Sequence, residues 1–379
     1  MDELVHAFQE LGHEVLLVGP KSFARASFGH DPKLINALKS RIPQFAYEIL
    51  ELGYNVVAFA RLEKASRQFK PDFLYERHNL YTLAGAWVSR LHRLPRLLEI
   101  NAPLAHERAA NDGLALRWLA HLLEDWSWRT AAFALPVTHV LAGFLRRGGV
   151  KEKCIRVIPN AINKGTFDIA PSSEEAKASL GLDGKIVVGF TGFVREWHGL
   201  DRVVDWLGGD APRTAHLLVV GEGPALAGLK AQAAKLGLSE RVTFAGLVGR
   251  DRIAGYTAAF DIAIVPKCVE YCSPLKLFEY MALGKAILAP DQANIREILT
   301  DGKSTLLFDP NDKQSLSRAL GRLACDCDLR RSLGERARQI IASRGLWWSN
   351  NAQRIIALAQ EAIAAKDTST SPHLAARLP

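Results

Sequence analysis

No window of the 379-residue chain offers about 18 uninterrupted apolar residues of the kind that spans a bilayer. Its first residues, MDELVHAFQE, lack the positive segment and apolar run of a secretory leader, so a cytoplasmic location is expected. Cysteine is scarce. The five, at 154, 268, 272, 325 and 327, form neither a CxxC pair nor an even disulfide framework, which leaves reduced thiols as the simpler reading. Cys268 and Cys272 have no second ligand pair, so no metal site is expected there. No repeat of fixed period runs along the chain. With 48% hydrophobic and 23% charged residues it is neither disordered nor fibrous. Although the sequence pI is about 9.2, no helix-turn-helix, zinc or RNA-binding signature is present, and nucleic acid is not an expected partner.

What is there suits two α/β domains. Short aliphatic runs alternate with amphipathic stretches of helical length, the pattern of parallel sheets joined by crossover helices. HEVLLVGP, FLYERH, PRLLEIN, CIRVIPN, KIVVGFTG, AHLLVVGEG, RVTFAG, FDIAIVP and KAILAP all read as buried strands. The polar stretch PSSEEAKASLGLDG (171–184) leads into a second domain. The spacing predicts domains over 1–165 and 166–345, a terminal helix over 346–365 that packs back on the first, and a mobile tail over 366–379. MDELVHAFQELG reads as a helix closed by Gly12 with its strand after it, so a first strand is missing before Met1.

Charge is uneven. Residues 1–165 hold 22 Lys+Arg against 16 Asp+Glu, which leaves 6 of the net +8 in the first domain. Clusters at Arg90, Arg93 and Arg96, and at Arg146, Arg147, Lys151, Lys153 and Arg156, suit an anionic membrane or phosphorylated substrate; a solvated basic face explains them equally. Trp118, Trp126 and Trp128 fit either core packing or peripheral membrane contact.

The stretch SPLKLFEYMALGKAILAP (273–290) is a helix with Ser273 as N-cap, Pro274 at its first position and Gly284 past its end. Leu275, Phe278 and Ala282 share an apolar face, with Glu279 off it. Free N–H groups at such a start suit a phosphate, and Glu279 suits sugar hydroxyls; solvent-facing Lys276 and Glu279 are the competing reading. VVGEGP (219–224) is a tight glycine turn whose Leu226 stands where a dinucleotide fingerprint needs glycine. GFTGFVREWHG (189–199) sets Arg195 and His198 beside another glycine turn, as a diphosphate requires. The letters DCD at 326–328 imitate a metal-binding DxD but fall between two late helices, where a surface turn is expected.

Taken in order, VIPNAIN, GFTGFVREWHG, VVGEGP, VTFAGLVGRDRIAGYTAAFDIAIVP, SPLKLFEYMALGKAILA and NIREILTDGKSTLLFDP resemble the donor-binding half of family-4 (group 1) retaining glycosyltransferases. PDFLYERHNLYTLAG, LLEINAPLAHE and GHEVLLVGP are similar to segments of the acceptor half. The resemblance implies a GT-B fold, with two doubly wound Rossmann-like domains facing a central crevice. It implies that Glu279 binds the ribose of a nucleotide sugar and that the backbone of Ser273, Pro274 and Leu275 and the side chain of Lys276 approach sugar and phosphates. Gly192, Glu222 and Gly246 would line the donor site, while Arg195 and His198 stabilise the diphosphate. His198 stands where the family often has lysine. The family's paired glutamates are separated by seven residues; Tyr271 occupies the first place here and Glu270, beside it, is the candidate substitute.

The implied reaction moves a sugar from a nucleoside diphosphate to a hydroxyl of a glycan or lipid-linked acceptor, with retention, without cofactor or metal. The catalytic residues would be Arg195, His198 and Glu279, and Asn101 and His106 lie where acceptor contacts arise. A catalytically inactive nucleotide-sugar-binding subunit, or an epimerase or hydrolase of the same fold, are the alternatives.

Overall fold

A computed structural model describes residues 2–19, 42–111 and 113–370. They form two compact units: one takes the described residues up to Pro159 and resumes at Asn351, the other runs from Asn160 to Asn350. The boundary thus falls earlier than 165.

Each unit carries a parallel sheet. In the first, β1 (Leu74–Arg77), β2 (Arg96–Ile100) and β3 (Phe133–Pro136) pair in that order. The second contains β4 (Ile186–Thr191), β5 (Ala215–Val220), β6 (Val242–Gly246), β7 (Ile262–Ile264), β8 (Ala286–Pro290) and β9 (Leu306–Phe308), in the order β6-β5-β4-β7-β8-β9. Every residue of β5 and β8 is buried. That is why they read as continuous apolar runs: helices cover both faces of a parallel sheet. Phe190, Leu217 and Val219 face one core, and Val187, Leu218 and Val220 the other. The winding reverses between β4 and β7, so their carboxyl ends are the topological switch point where ligands of such sheets bind.

Four helices of the first unit are α1 (Asp2–Glu10), α2 (Gln44–Phe69), α3 (Ala84–Leu91) and α4 (Arg117–Arg129). Two more matter below: α5 (Leu275–Ala282) follows β7, and α6 (Trp348–Thr370) returns to the first unit. There Asn351 donates to the Pro159 carbonyl at 2.8 Å and Glu361 pairs with Arg156 at 3.7 Å. Helix α6 includes residues 366–370, expected in a mobile tail; the rest of that tail, 371–379, lies outside the described residues.

Several expectations need correction. Residues 13–19, HEVLLVG, form no strand, and Leu16 and Leu17 are 49% and 64% exposed; Pro20 lies outside the described residues. An aliphatic run becomes a strand only where a neighbour shares its ladder, and among the described residues none does. CIRVIPN makes one bridge, Ile155 to Ala134, because Glu152–Cys154 takes a tight helical turn. FALP and LLF, too short to read as strands, are β3 and β9. Arg96 is not part of a basic surface. It is buried, donating to Glu76 at 2.7 Å, to the Ser127 carbonyl at 2.5 Å and to Thr130 at 3.0 Å. Trp128 is buried while Trp118 is 70% exposed. Asp326 of the DCD letters is a helix N-cap, accepting the Leu329 N–H at 2.8 Å. No helix among the described residues is long and apolar enough to cross a membrane.

Helix α2 inverts the usual pattern by burying Glu48 and Asn55 while Ile49 and Val56 face out. The polar pair caps other helices. Glu48 accepts the N–H groups of Ala115 and Leu116 at 2.7 and 2.8 Å, just before α4, and the Tyr81 hydroxyl at 2.8 Å. Asn55 accepts those of Leu83 and Ala84 at 2.6 and 3.2 Å, at the start of α3. Leu116 and Leu83, in the cap positions, have no side-chain oxygen to do this. Burial pulls the Glu48 carboxyl pKa upward, but the two N–H groups and Tyr81 hold it below its ordinary 4.5. Glu48→Ala is expected to cost about 2 kcal/mol at neutral pH. Because the folded pKa is the lower one, the ionised form's share of that contribution is present above pH 4.5 and is lost as pH falls below it. Urea unfolding of both proteins at pH 7 and pH 3 checks this: the mutant's deficit should shrink at pH 3, and an equal deficit would contradict the account.

Candidate functional site

Strand β4 ends in a turn at Gly192 (φ 127°), and β5 ends at Gly221 (φ 136°) and Gly223 (φ 159°). A side chain is strained in such conformations, and here it would also collide. A methyl group at 221 would sit 2.0 Å from the Gly192 carbonyl oxygen, and one at 223 would sit 2.1 Å from that of Val194. Hydrogen bonds stitch the turns together: Gly192 N–H to Val220 at 2.9 Å, Val194 N–H to Glu222 at 2.7 Å and Gly221 N–H to Gly246 at 2.8 Å. Gly192, Glu222 and Gly246 are therefore brought side by side. Glu222 takes part through its carbonyl, with its side chain exposed.

Helix α5 starts one residue later than expected, with Pro274 in the cap position and Gly284 (φ 61°) past its end. Ser273 does not cap it. Its hydroxyl accepts the Asn160 N–H at 3.2 Å and its carbonyl accepts the Asn160 side-chain amide at 2.7 Å. The buried face is Leu277, Phe278, Tyr280 and Met281, whereas Leu275, expected on it, is 47% exposed. Lys276 and Glu279 are half-buried at the switch point. The Lys276 ammonium lies 3.8 Å from the Phe190 ring centre and 3.1 Å from where a methyl on Gly192 would stand. Neither Lys276 nor Glu279 has a hydrogen bond or ion pair among the described residues. Burial pushes the ammonium down to about 8, although Glu279, Cys268 and Cys272 pull the other way. Burial likewise raises the Glu279 carboxyl, opposed by Lys276.

Arg195 is exposed, its guanidinium 5.2 Å from the Phe193 ring centre. His198 departs from the basic role expected of it. Buried against Phe190 and Trp197, it is depressed to about 3 by burial and by the charges of Lys276 and Arg195, so it is neutral at pH 7. Its Nδ1 accepts the Arg195 N–H at 3.1 Å, which leaves the proton on Nε2. Glu270 is exposed on a turn and bonds no described residue. In the first unit, Asn101 donates to Glu99 at 2.5 Å and His106 packs on the Phe144 ring at 5.7 Å. Phe190, Asn160 and Tyr280 were missed as site components, since an aromatic floor and buried ties carry no signal until the fold assembles them.

Two family descriptions match in tandem: glycosyl transferase 4-like domain over residues 1–161, and glycosyl transferases group 1 over residues 185–326. The chain belongs to the group 1 glycosyltransferases. A curated member, 2-deoxystreptamine glucosyltransferase of Streptomyces kanamyceticus, is 25% identical, covering 84% of this chain and 87% of its own. The fold of this group 1 enzyme is GT-B. HepE of Anabaena, solved with UDP, aligns at a TM-score of 0.69 with 18% identity, over 80% of this chain and 82% of its own. WaaG, a glycosyltransferase involved in lipopolysaccharide biosynthesis, aligns at 0.63 with 18% identity, over 80% and 83%.

An unpaired, half-buried ammonium in this glycosyltransferase costs stability. Lys276→Met is expected to raise the melting temperature of the ligand-free protein, by an amount corresponding to about 1 kcal/mol. Calorimetry of the two proteins checks this; a lower melting temperature for the variant would show that the ammonium is already well satisfied.

Proposed function

We propose that the second unit binds a nucleoside-diphosphate sugar at the β4–β7 switch point, and that the enzyme transfers the sugar to a hydroxyl with retention. The observation that carries this reading is the pair of unpaired charges on the first turns of α5, beside a glycine turn that leaves the backbone open. Lys276, Arg195 and the free N–H groups at the start of α5 meet the diphosphate. Glu279 accepts hydrogen bonds from the ribose hydroxyls, and His198 contributes a neutral N–H.

Retention is what the resemblance implies. The bond from the anomeric carbon to the diphosphate oxygen breaks on the face where the new bond to the acceptor oxygen forms, and the leaving diphosphate takes up the acceptor's proton. Stabilising the negative charge that develops on that diphosphate is then the main task of the site. Lys276, Arg195 and the helix terminus supply positive charge, so the reading requires neither cofactor nor metal. No group of three metal-ligating side chains gathers among the described residues. HepE was solved with UDP and WaaG acts in lipopolysaccharide biosynthesis, which puts UDP first among carriers and glycan assembly first among pathways. The acceptor would be a glycan or lipid-linked hydroxyl, with Asn101 and His106 as candidate contacts.

Thermal unfolding with UDP, GDP, ADP and CMP in turn tests the donor site. A ligand at about 100 times its dissociation constant adds roughly 2.7 kcal/mol, a shift of several degrees. UDP is expected to give it, in EDTA as well as without, with a smaller shift in Glu279→Ala and none in Lys276→Met. A folded wild type that no nucleotide shifts would overturn the reading. Binding without turnover would mark a nucleotide-sugar-binding subunit instead.

A further inference from the structure

Tyr280 stands one helical turn beyond Lys276, adjacent to Glu279, and is fully buried. Its ring is located by a chain of contacts that starts in the sheet. Gly189 of β4 leaves a notch for the Phe260 ring, where a methyl group would lie 2.1 Å from the ring atoms. Phe260 in turn meets Tyr280 edge to face, with ring centres 6.0 Å apart. With the ring so held, the hydroxyl accepts the Thr191 N–H at 2.9 Å and lies 3.1 Å from the Thr191 hydroxyl. Thr191 is the last residue of β4, immediately before Gly192. Among the described residues, no other side-chain hydrogen bond joins α5 to β4.

We propose that Tyr280 is a positioning residue of the transferase, whose hydroxyl sets Lys276 and Glu279 at the separation from the Gly192 turn that the donor diphosphate bridges. This rests on the donor site proposed above. The physical case is that each half has its own hydrogen bonds but, among the described residues, only the Tyr280 hydroxyl makes side-chain hydrogen bonds between α5 and β4, and a buried hydrogen bond to a backbone N–H fixes direction as well as distance. Without the hydroxyl, the Thr191 N–H is left buried and unpaired. Helix α5 then shifts to let water in, and the Lys276 ammonium loses its place over Phe190. Small displacements of charged groups that meet a diphosphate are costly, because each hydrogen bond depends on geometry already in place before the ligand arrives.

The test is isothermal titration of UDP into wild type, Tyr280→Phe, Thr191→Val and Leu323→Ala at a series of pH values. Above neutrality the phosphates of UDP are fully ionised, so wild-type affinity should fall as pH passes about 8 and the unliganded Lys276 loses its proton. The titratable groups facing that ammonium are Glu279, Cys268, Cys272 and His198, and none of them is altered in the variants. Tyr280→Phe is expected to bind UDP about tenfold more weakly, with the pH midpoint moved upward because the ammonium has regained water. Thr191→Val keeps the N–H donor and should lose only about two- to threefold, with a smaller midpoint shift. Leu323, buried on the opposite face of the sheet, reports destabilisation alone: Leu323→Ala should melt lower with affinity and midpoint unchanged.

A wild type that does not bind UDP overturns the donor-site reading itself. A wild type that binds, beside a Tyr280→Phe protein of equal affinity and equal midpoint, overturns the positioning role and leaves the donor site standing. Should Tyr280→Phe not fold, Thr191→Val decides, and unchanged affinity and midpoint in that variant overturn the role.

Discussion

The carboxyl edge of the second sheet depends on a contact that only glycine permits. With 2.0 Å between the Gly192 carbonyl oxygen and the place of a methyl on Gly221, the turns after β4 and β5 lie backbone on backbone. Gly192, Gly221 and Gly223 themselves put no side chain at these turns. Beside them the Lys276 ammonium lies over Phe190, 3.8 Å from the ring centre and 3.1 Å from where a methyl on Gly192 would stand. Geometry at the site is thus set by what is absent, and the charged residues occupy the space left over.

Electrostatics follow from that geometry. Several buried or half-buried charges among the described residues are paired: Lys177 with Asp261 at 2.7 Å, Arg96 with Glu76 at 2.7 Å and Arg108 with Glu51 at 2.8 Å. At the switch point the protein instead keeps Lys276 and Glu279 without direct partners, and holds His198 neutral between two aromatic rings. Buried groups with perturbed pKa values in a ligand-binding position are the usual mark of a site built for a partner that arrives from outside. Here the two charges without direct partners lie at the end of the sheet where a doubly wound fold places its ligand.

Most of the second unit was legible in the sequence, because its strands are buried on both faces and its turns need glycine. KIVVGFTG, AHLLVVGEG and KAILAP announce themselves by continuous apolar character, and Gly284 marks the end of α5. The first unit was read less well. HEVLLVG has the composition of a strand and pairs with no neighbour among the described residues, while FALP is a strand that its length and proline conceal. Burial of Arg96 was illegible for a different reason: its partners, Glu76, Ser127 and Thr130, are scattered over 55 residues and meet only after β1, β2 and α4 have packed. At the site, the helix pattern singled out Lys276 and Glu279 but left a solvent-facing reading open, and their donor role was what the resemblance implied. The reversal of Leu275, outside the buried face, and the neutrality of His198 depended on three-dimensional surroundings. The ties from Asn160 to Ser273 and from Tyr280 to Thr191 join positions far apart in sequence, and no spacing rule reaches them.

In the proposed function Lys276 meets an anion that none of the described residues supplies. The most direct measurement is a proton titration of the Lys276 ammonium by NMR in protein carrying labelled lysine, with Lys276→Met assigning the resonance, first alone and then with UDP. The account predicts an apparent pKa near 8 for the unliganded protein, rising well above that when the diphosphate binds. A resonance that titrates at the ordinary 10.5 without ligand, and does not respond to UDP, would contradict it.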